Sequence, residues 1–270
     1  MPELPEVETV KNTLKSKILN KKIKEVNVLY EGIIEYPNVE EFMEKIKNQT
    51  INDIKRYGKW LIFELDNYSL LSHLRMEGKY NIKNMDDPIL KHEHVIFKLD
   101  DISLRYNDTR KFGKMHLIKK EDIYKTKPLC DLGLEPWDKK LTKEYLYNIY
   151  SNKKLPVKQV LLDQSIIVGI GNIYADEILF LSNINPLKPC NLLKIEELDN
   201  IINNTKKILE QAILKGGTTI KSFSSSGIHG RFQQELLVQT KCICPKCNNK
   251  IEKIRVGGRG TYYCSIFQML

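Results

Sequence analysis

The sequence predicts an α+β protein with an N-terminal β-sandwich or barrel, a helical second half and a small C-terminal element. Residues 5–19 place apolar side chains on one helical stripe, and residues 25–118 hold short runs of alternating apolar and polar side chains. Residues 145–212 return to helical spacing. The chain has 270 residues, which suffices for two packed domains with an appendage.

Each predicted element has a local signal. Pro5 suits the first turn of the first helix, whose stripe contains Val7, Val10, Leu14 and Ile18. Turn residues such as those at 66–67 and 86–88 separate the β-like runs. The predicted runs cover 25–30, 51–65, 69–74, 94–99, 102–106 and 114–118. Short strands at this spacing are typical of a sandwich or barrel.

The second half follows a linker at 128–136 and is predicted to be helical. One long apolar stripe ends at Gly216 and Gly217, and it contains Leu198, Ile201, Ile202, Thr205, Ile208, Leu209 and Ala212. Residues 222–231 are rich in serine and glycine, which predicts a mobile loop. We therefore expect domains at 1–130, 131–221 and 222–270.

Charge and cysteine usage narrow the class of protein. The net charge of +9 and the sequence pI of about 9.0 favour a polyanionic partner, because lysine and arginine release condensed counterions from phosphates. Four of the six cysteines fall in the last 30 residues, which indicates a metal site rather than disulfides. We expect no secretory signal and no membrane span, and hence a cytoplasmic protein.

The first residues offer a candidate nucleophile. Removal of Met1 would expose the secondary amine of Pro2, which can condense with a sugar aldehyde to give a charged iminium. Glu3 could act as a general acid beside it. The alternative is that Met-Pro-Glu is an ordinary chain start without chemistry.

Longer motifs resemble the formamidopyrimidine-DNA glycosylases along nearly the whole chain. The motifs are PELPEVET at 2–9, RYGKWL at 56–61, HLRMEG at 73–78, KHEHV at 91–95, YNDTRKFG at 106–113, DQSIIVGIGNIYADE at 163–177 and FQQE at 232–235. The resemblance implies an N-terminal β-sandwich with flanking helices, a helix–two-turn–helix domain and a C-terminal β-hairpin that resembles a zinc finger.

The resemblance also implies catalytic roles. In that family the exposed proline attacks C1′ of the damaged nucleoside and the next glutamate is the acid, which assigns these roles to Pro2 and Glu3. Lys59 takes the place of the family's catalytic lysine, and Arg259 that of the finger arginine that grips phosphates and acts in the second elimination. The alternative for Lys59 is a solvated lysine at a strand edge.

DNA-contacting roles follow from the same motifs. The resemblance matches Met76, Arg110 and Phe112 to residues inserted into the duplex, where a wedge offsets the cost of extruding a base. It assigns DNA contacts to His92 and a phosphate contact to Asn172. Nearby positive charge comes from Lys153, Lys154 and Lys158. Core packing, for Met76 and Phe112, and a solvated basic face, for the lysines, are the alternatives. The loop at 218–231 matches one that closes over the flipped base.

The cysteine segment departs from the family. Cys244, Cys247 and Cys264 have zinc-site spacing, but Phe267 stands where the fourth cysteine belongs, and phenylalanine cannot bind a metal. Cys242 is a candidate for the missing ligand, since side chains two apart on an extended strand face the same way. One structural zinc and a metal-free hairpin both stay open.

The sequence therefore predicts a monomeric glycosylase and abasic-site lyase that acts on 8-oxoguanine and formamidopyrimidines in duplex DNA. We expect a bacterial, cytoplasmic protein associated with the nucleoid through DNA. One alternative is the related endonuclease VIII type, which prefers oxidised pyrimidines. Another is a catalytically silent protein that binds lesions, in keeping with the Phe267 substitution.

Overall fold

The computed structural model describes residues 1–218 and 230–270. Its contacts divide the chain into two units. The first comprises Met1–Asp131 with Gly216–Gly230, and the second Leu132–Lys215 with Arg231–Leu270. The cysteine segment therefore belongs to the same unit as the helices of the second half.

The first unit begins with helix α1 at Leu4–Ile18, which confirms the predicted N-terminal helix. Glu3 is its N-cap, and Glu3 and Glu6 form a capping box that satisfies free backbone N–H groups at the helix start. The apolar stripe from Val7 to Ile18 is buried.

Two sheets follow. The first has four strands in the order β1-β7-β8-β6, and the second has five in the order β2-β9-β5-β4-β3. The strands are β1 Glu25–Val28, β2 Ile34–Tyr36, β3 Asp53–Tyr57, β4 Trp60–Glu64, β5 Tyr68–His73, β6 Lys79–Lys83, β7 Glu93–Lys98, β8 Ser103–Asn107 and β9 Lys114–Lys119. Neighbouring strands pair antiparallel, except that β2 runs parallel to β9.

The two sheets share one apolar core with α1, which makes the unit a β-sandwich. Phe63 of β4 and Tyr80 of β6 pack edge to face across it, with ring centroids 5.6 Å apart. The Tyr80 hydroxyl donates to Ser72 Oγ at 2.8 Å, so the one polar atom of this ring is satisfied inside the core.

The predicted mix of helix and sheet is confirmed, although three elements of the sandwich were not predicted. Helix α2 at Val39–Ile46 is short but has an Asn38 cap that accepts from Glu41 N. Strand β2 has only three residues and packs through its parallel partner. Strand β6 carries an alternation of Tyr80 and Ile82 that was available in the sequence.

Four helices build the second unit: α3 Lys143–Tyr150, α4 Val157–Leu161, α5 Asn172–Leu181 and α6 Ile195–Leu214. The seven residues predicted as the stripe of the long helix are all buried in α6. Gly216 and Gly217 follow it at φ 73° and 78°, a left-handed conformation that suits glycine after a helix. No helix in residues 1–218 or 230–270 is long and apolar enough to cross a membrane.

The C-terminal element is a hairpin of β10 Glu252–Val256 and β11 Arg259–Tyr263. Glu177 of α5 fixes the chain before it, because its carboxylate accepts from the backbone N–H groups of Leu237, Val238 and Gln239 at 2.7 to 3.0 Å. The predicted hairpin is thus held by the helical part of its own unit.

Candidate functional site

The amino terminus lies in a largely buried environment of the first unit. Pro2 is buried and Glu3 is 3% exposed. Burial lowers the pKa of the Met1 α-amine below its ordinary value. The negative charges of Glu3 and Glu6 oppose this shift, and the positive charge of Lys59 adds to it. An amine in this environment is more often neutral, and hence more nucleophilic, than one in water.

Lys59 is brought to the same place. It lies in the turn between β3 and β4, where Gly58 has φ 56°, and only 6% of the residue is exposed. Its positive charge helps to lower the pKa of the terminal amine. The structure therefore groups the terminal amine with Glu3 and Lys59, and the catalytic roles of Pro2, Glu3 and Lys59 stay predictions.

Glu6 was not predicted as a site residue, yet it organises this region. Its carboxylate accepts from Glu3 N at 2.9 Å and from Thr218 N at 2.7 Å. A Cβ on Gly217 would lie 2.6 Å from Glu6 Oε1, so glycine is required for this approach. Glu6 thus ties the amino terminus to the start of the predicted mobile loop, whose residues 219–229 lie outside the described residues.

Asp108 is the second organising residue that the sequence prediction missed. It is 0% exposed, and its carboxylate accepts from the backbone N–H groups of Arg110, Phe112 and Gly113 at 2.8 to 3.0 Å. One side chain therefore shapes the whole turn between β8 and β9. Asp108 stands two to five residues before its three donors in the motif at 106–113. From the sequence alone, an aspartate at this place indicates only a turn.

This turn presents two of the predicted wedge residues together. The Arg110 guanidinium carbon lies 4.7 Å from the centre of the Phe112 ring, and 49% of Phe112 is exposed. An exposed phenylalanine does not serve the core, so the core-packing alternative fails for Phe112. Met76 and His92 are half-buried elsewhere in this unit, and their DNA roles stay predictions.

In the second unit, Asn172 is the first residue of α5 and contacts the hairpin. Its Nδ2 donates to Gly260 O at 2.9 Å. The neighbouring Arg259 is exposed at the hairpin tip. The structure thereby brings the two predicted phosphate-binding residues of this unit to adjacent positions.

Lys158 does not fit the predicted DNA-contacting role. Its side chain is 0% exposed, and Nζ lies 2.6 Å from Asp176 Oδ1 and 2.7 Å from Thr261 Oγ1. Because the ammonium is enclosed and neutralised, it offers no charge to a phosphate outside the protein. Lys154 is exposed and Lys153 half-buried, and their DNA role stays a prediction.

The cysteine cluster contains three of the four predicted ligands. The sulfur atoms of Cys244, Cys247 and Cys264 all lie within 4.8 Å of one another, and those of Cys247 and Cys264 are 3.4 Å apart. Thiolates on a tetrahedral zinc at 2.3 Å are about 3.8 Å apart, so the arrangement fits this metal.

Cys242 is outside the cluster, which corrects the prediction that it supplies the fourth thiolate. It lies in a bend and is exposed, whereas Cys244 is buried. The prediction assumed an extended strand through both residues; the bend turns the two side chains to different environments.

The protein thus combines a β-sandwich that has a buried amino terminus with a unit of helices that ends in a cysteine hairpin. Three family models match the chain in this order. They are the formamidopyrimidine-DNA glycosylase N-terminal domain at residues 1–115, the H2TH domain of the same glycosylase at 132–224, and the zinc finger found in FPG and IleRS at 244–265.

Relatives match over the whole length. The chain is 46% identical over 273 residues to the formamidopyrimidine-DNA glycosylase of Oceanobacillus iheyensis, covering 99% of this chain and 98% of the relative. It is also 46% identical over 273 residues to the one from Bacillus anthracis, covering 99% of both. The chain belongs to the formamidopyrimidine-DNA glycosylase family.

Solved structures support the same family assignment. Lactococcus lactis Fpg in complex with DNA containing N7-benzyl-Fapy-dG superimposes with a TM-score of 0.93 at 37% identity, covering 100% of both chains. The same enzyme with DNA containing an abasic site gives 0.93 at 36% identity, covering 99% of this chain and 100% of the other.

Proposed function

We propose that this protein is a DNA glycosylase that removes oxidised purines from duplex DNA and then cleaves the strand at the abasic site. The observation that carries this proposal is the buried amino terminus, which lies among the charges of Glu3, Glu6 and Lys59. The family's curated members and the lactococcal complexes with damaged DNA support the same substrate class.

Removal of Met1 places the secondary amine of Pro2 in this environment. The amine attacks C1′ of the damaged nucleoside, and the bond from C1′ to the base breaks with its electrons going to the base. Glu3 gives its proton to the ring oxygen O4′ as the bond from C1′ to O4′ breaks. The nitrogen gives the proton it carries to the departing base, which leaves neutral, and its freed lone pair then forms the iminium as the bond from C1′ to O4′ breaks.

The iminium explains the strand cleavage. It withdraws electrons from C1′, so the hydrogen on C2′ becomes acidic and its loss expels the 3′ phosphate. A second elimination expels the 5′ phosphate. Lys59, close to the amine, and Arg259, at the hairpin tip, are suited to stabilise the departing phosphates because both carry fixed positive charge.

Lesion extrusion is the task proposed for the turn held by Asp108. Phe112 is exposed and fills the space that a flipped base leaves, and Arg110 lies beside it to hydrogen-bond the unpaired base opposite. Met76 completes the wedge. Because Asp108 fixes the backbone of this turn, the wedge is preorganised before DNA binds.

Phosphate binding is proposed for Asn172, Lys153, Lys154 and His92, which position the duplex without reading its sequence. Zinc held by the cysteine cluster supplies structure to the hairpin and takes no part in the chemistry. We propose that the protein acts as a monomer in the bacterial cytoplasm, on the DNA of the nucleoid.

The test is excision and strand cleavage on duplexes that carry one 8-oxoguanine or one thymine glycol. We expect faster cleavage at 8-oxoguanine, and a loss of at least about a hundredfold in the Lys59→Ala variant. Lys55→Ala is the matched control, since Lys55 is an exposed lysine of β3 paired with Glu64. Faster cleavage at thymine glycol, or no cleavage of either duplex, would overturn the proposal.

A further inference from the structure

We propose that the zinc-finger segment at residues 244–265, called the finger below, binds zinc through three thiolates only. The fourth coordination position is then open to an exchangeable ligand. The ligand class is water or a small thiol from solution. This inference concerns the metal centre alone and does not depend on the proposed DNA chemistry. It starts from the three clustered sulfurs of Cys244, Cys247 and Cys264, because a structural zinc site takes four ligands.

The side chain of Phe267 packs against other apolar side chains. Its ring lies against Phe180, with centroids 5.0 Å apart, and it borders the apolar cluster that contains Cys244 and Cys264. Its backbone N–H donates to Cys264 Sγ at 3.4 Å. The residue thus still supports a ligand sulfur through its backbone, while its side chain offers no donor atom to a metal.

Neighbouring side chains do not supply a fourth ligand. Gln268 is fully buried, and its amide is used at both ends: Oε1 accepts from Cys264 N at 3.0 Å and Nε2 donates to Ile184 O at 2.8 Å. Cys242 is exposed and lies outside the cluster. Among residues 1–218 and 230–270, no fourth histidine, cysteine or carboxylate joins the three sulfurs.

The described residues supply no fourth ligand, so in this proposal it comes from solution. Zinc in proteins is almost always four-coordinate, and a centre with three protein ligands keeps water or another small molecule in the fourth place. Cys244 and Cys264 are buried, but Cys247 is partly exposed, which gives solvent a route to the metal. A small thiol competes well with water there, because thiolate is a favoured zinc ligand.

The full-length protein loaded with Co²⁺ in place of zinc tests this directly, because thiolate-to-cobalt charge transfer reports how many thiolates bind. Phe267→Cys is the matched variant, with a fourth thiolate restored. We expect the wild-type band to have about three quarters of the intensity of the variant, since three rather than four thiolates ligate. We also expect 2-mercaptoethanol to change the wild-type spectrum and to leave that of the variant unchanged.

Cys242→Ser provides an independent arm if Phe267→Cys fails to fold. The proposal predicts that this variant has the same cobalt spectrum, and the same response to 2-mercaptoethanol, as the wild type. A weaker charge-transfer band in Cys242→Ser would show that Cys242 is the fourth ligand and overturn the proposal. A wild-type spectrum that does not respond to the added thiol, or a failure to bind cobalt at all, would overturn it too.

Discussion

Lys158 Nζ lies 2.6 Å from Asp176 Oδ1, and neither side chain is exposed. Lys158 also donates to Thr261 Oγ1 and to Gly260 O, while Asp176 Oδ2 accepts from Tyr262 N at 3.0 Å. Helices α4 and α5 thereby hold strand β11 through one buried ion pair. The lysine that the sequence assigned to DNA positions the hairpin instead.

Breaking this pair is expected to destabilise the protein. Lys158→Met leaves the Asp176 carboxylate buried without its partner, which costs about 3–5 kcal/mol of the free energy of unfolding. Lys154→Ala is the matched control, and an exposed lysine should change stability by less than about 0.5 kcal/mol. Urea unfolding followed by circular dichroism measures both; equal stabilities would show that the pair does not form in solution.

The turn held by Asp108 gives a second prediction. Asp108→Ala removes the acceptor of three backbone N–H groups in a buried place, which is expected to cost about 3 kcal/mol of stability. Affinity for a duplex with an abasic-site analogue should fall about tenfold or more, because Arg110 and Phe112 lose their fixed position. Fluorescence anisotropy at a temperature where the variant is folded measures this, with exposed Asp101→Ala as control. Unchanged affinity would show that the turn held by Asp108 is not needed to preorganise the wedge.

His73 predicts a pH dependence of stability. Burial, helped by the charges of Arg75 and Lys59, lowers its pKa to about 3 from an ordinary 6.5. Between these values the unfolded chain binds a proton that the folded chain does not. The contribution of His73 to the free energy of unfolding is therefore fully present above pH 6.5. It declines as the pH falls towards 3, by up to about 1.4 kcal/mol per pH unit.

The measurement compares the free energy of unfolding of the wild type with that of His73→Gln from pH 7 to pH 4. Glutamine can still accept from the Arg75 N–H that His73 Nδ1 now accepts at 3.0 Å, but it does not titrate. The advantage of the wild type should shrink as the pH falls. Parallel curves for the two proteins would contradict the assignment.

Metal removal is expected to act on the finger and through it on DNA binding. Cys244 and Cys264 lie inside the small core under the hairpin, so chelation of zinc should loosen this core and the segment that presents Arg259. Affinity for the abasic-analogue duplex should fall about tenfold or more, and added zinc should restore it. If chelated protein binds as tightly as loaded protein, metal does not shape the finger.

The elements predicted best from the sequence are those whose apolar pattern repeats over many residues. The stripe from Leu198 to Ala212 repeats through successive turns of α6, so its period is unmistakable. Strand β2 has three residues and is placed by its partner β9, which local pattern does not reveal. Burial of Lys158 depends on Asp176, which lies on a different helix. The residue type alone predicts that a lysine is exposed at the surface.

Borohydride trapping followed by peptide mapping shows whether the amine of Pro2 forms the covalent link to DNA. The full-length protein is incubated with borohydride and a duplex that carries one 8-oxoguanine, and an undamaged duplex serves as control. We expect mass spectrometry to find the reduced sugar on the Pro2 nitrogen of chains that have lost Met1. An adduct on a lysine, or none from folded protein with an exposed Pro2, would contradict it.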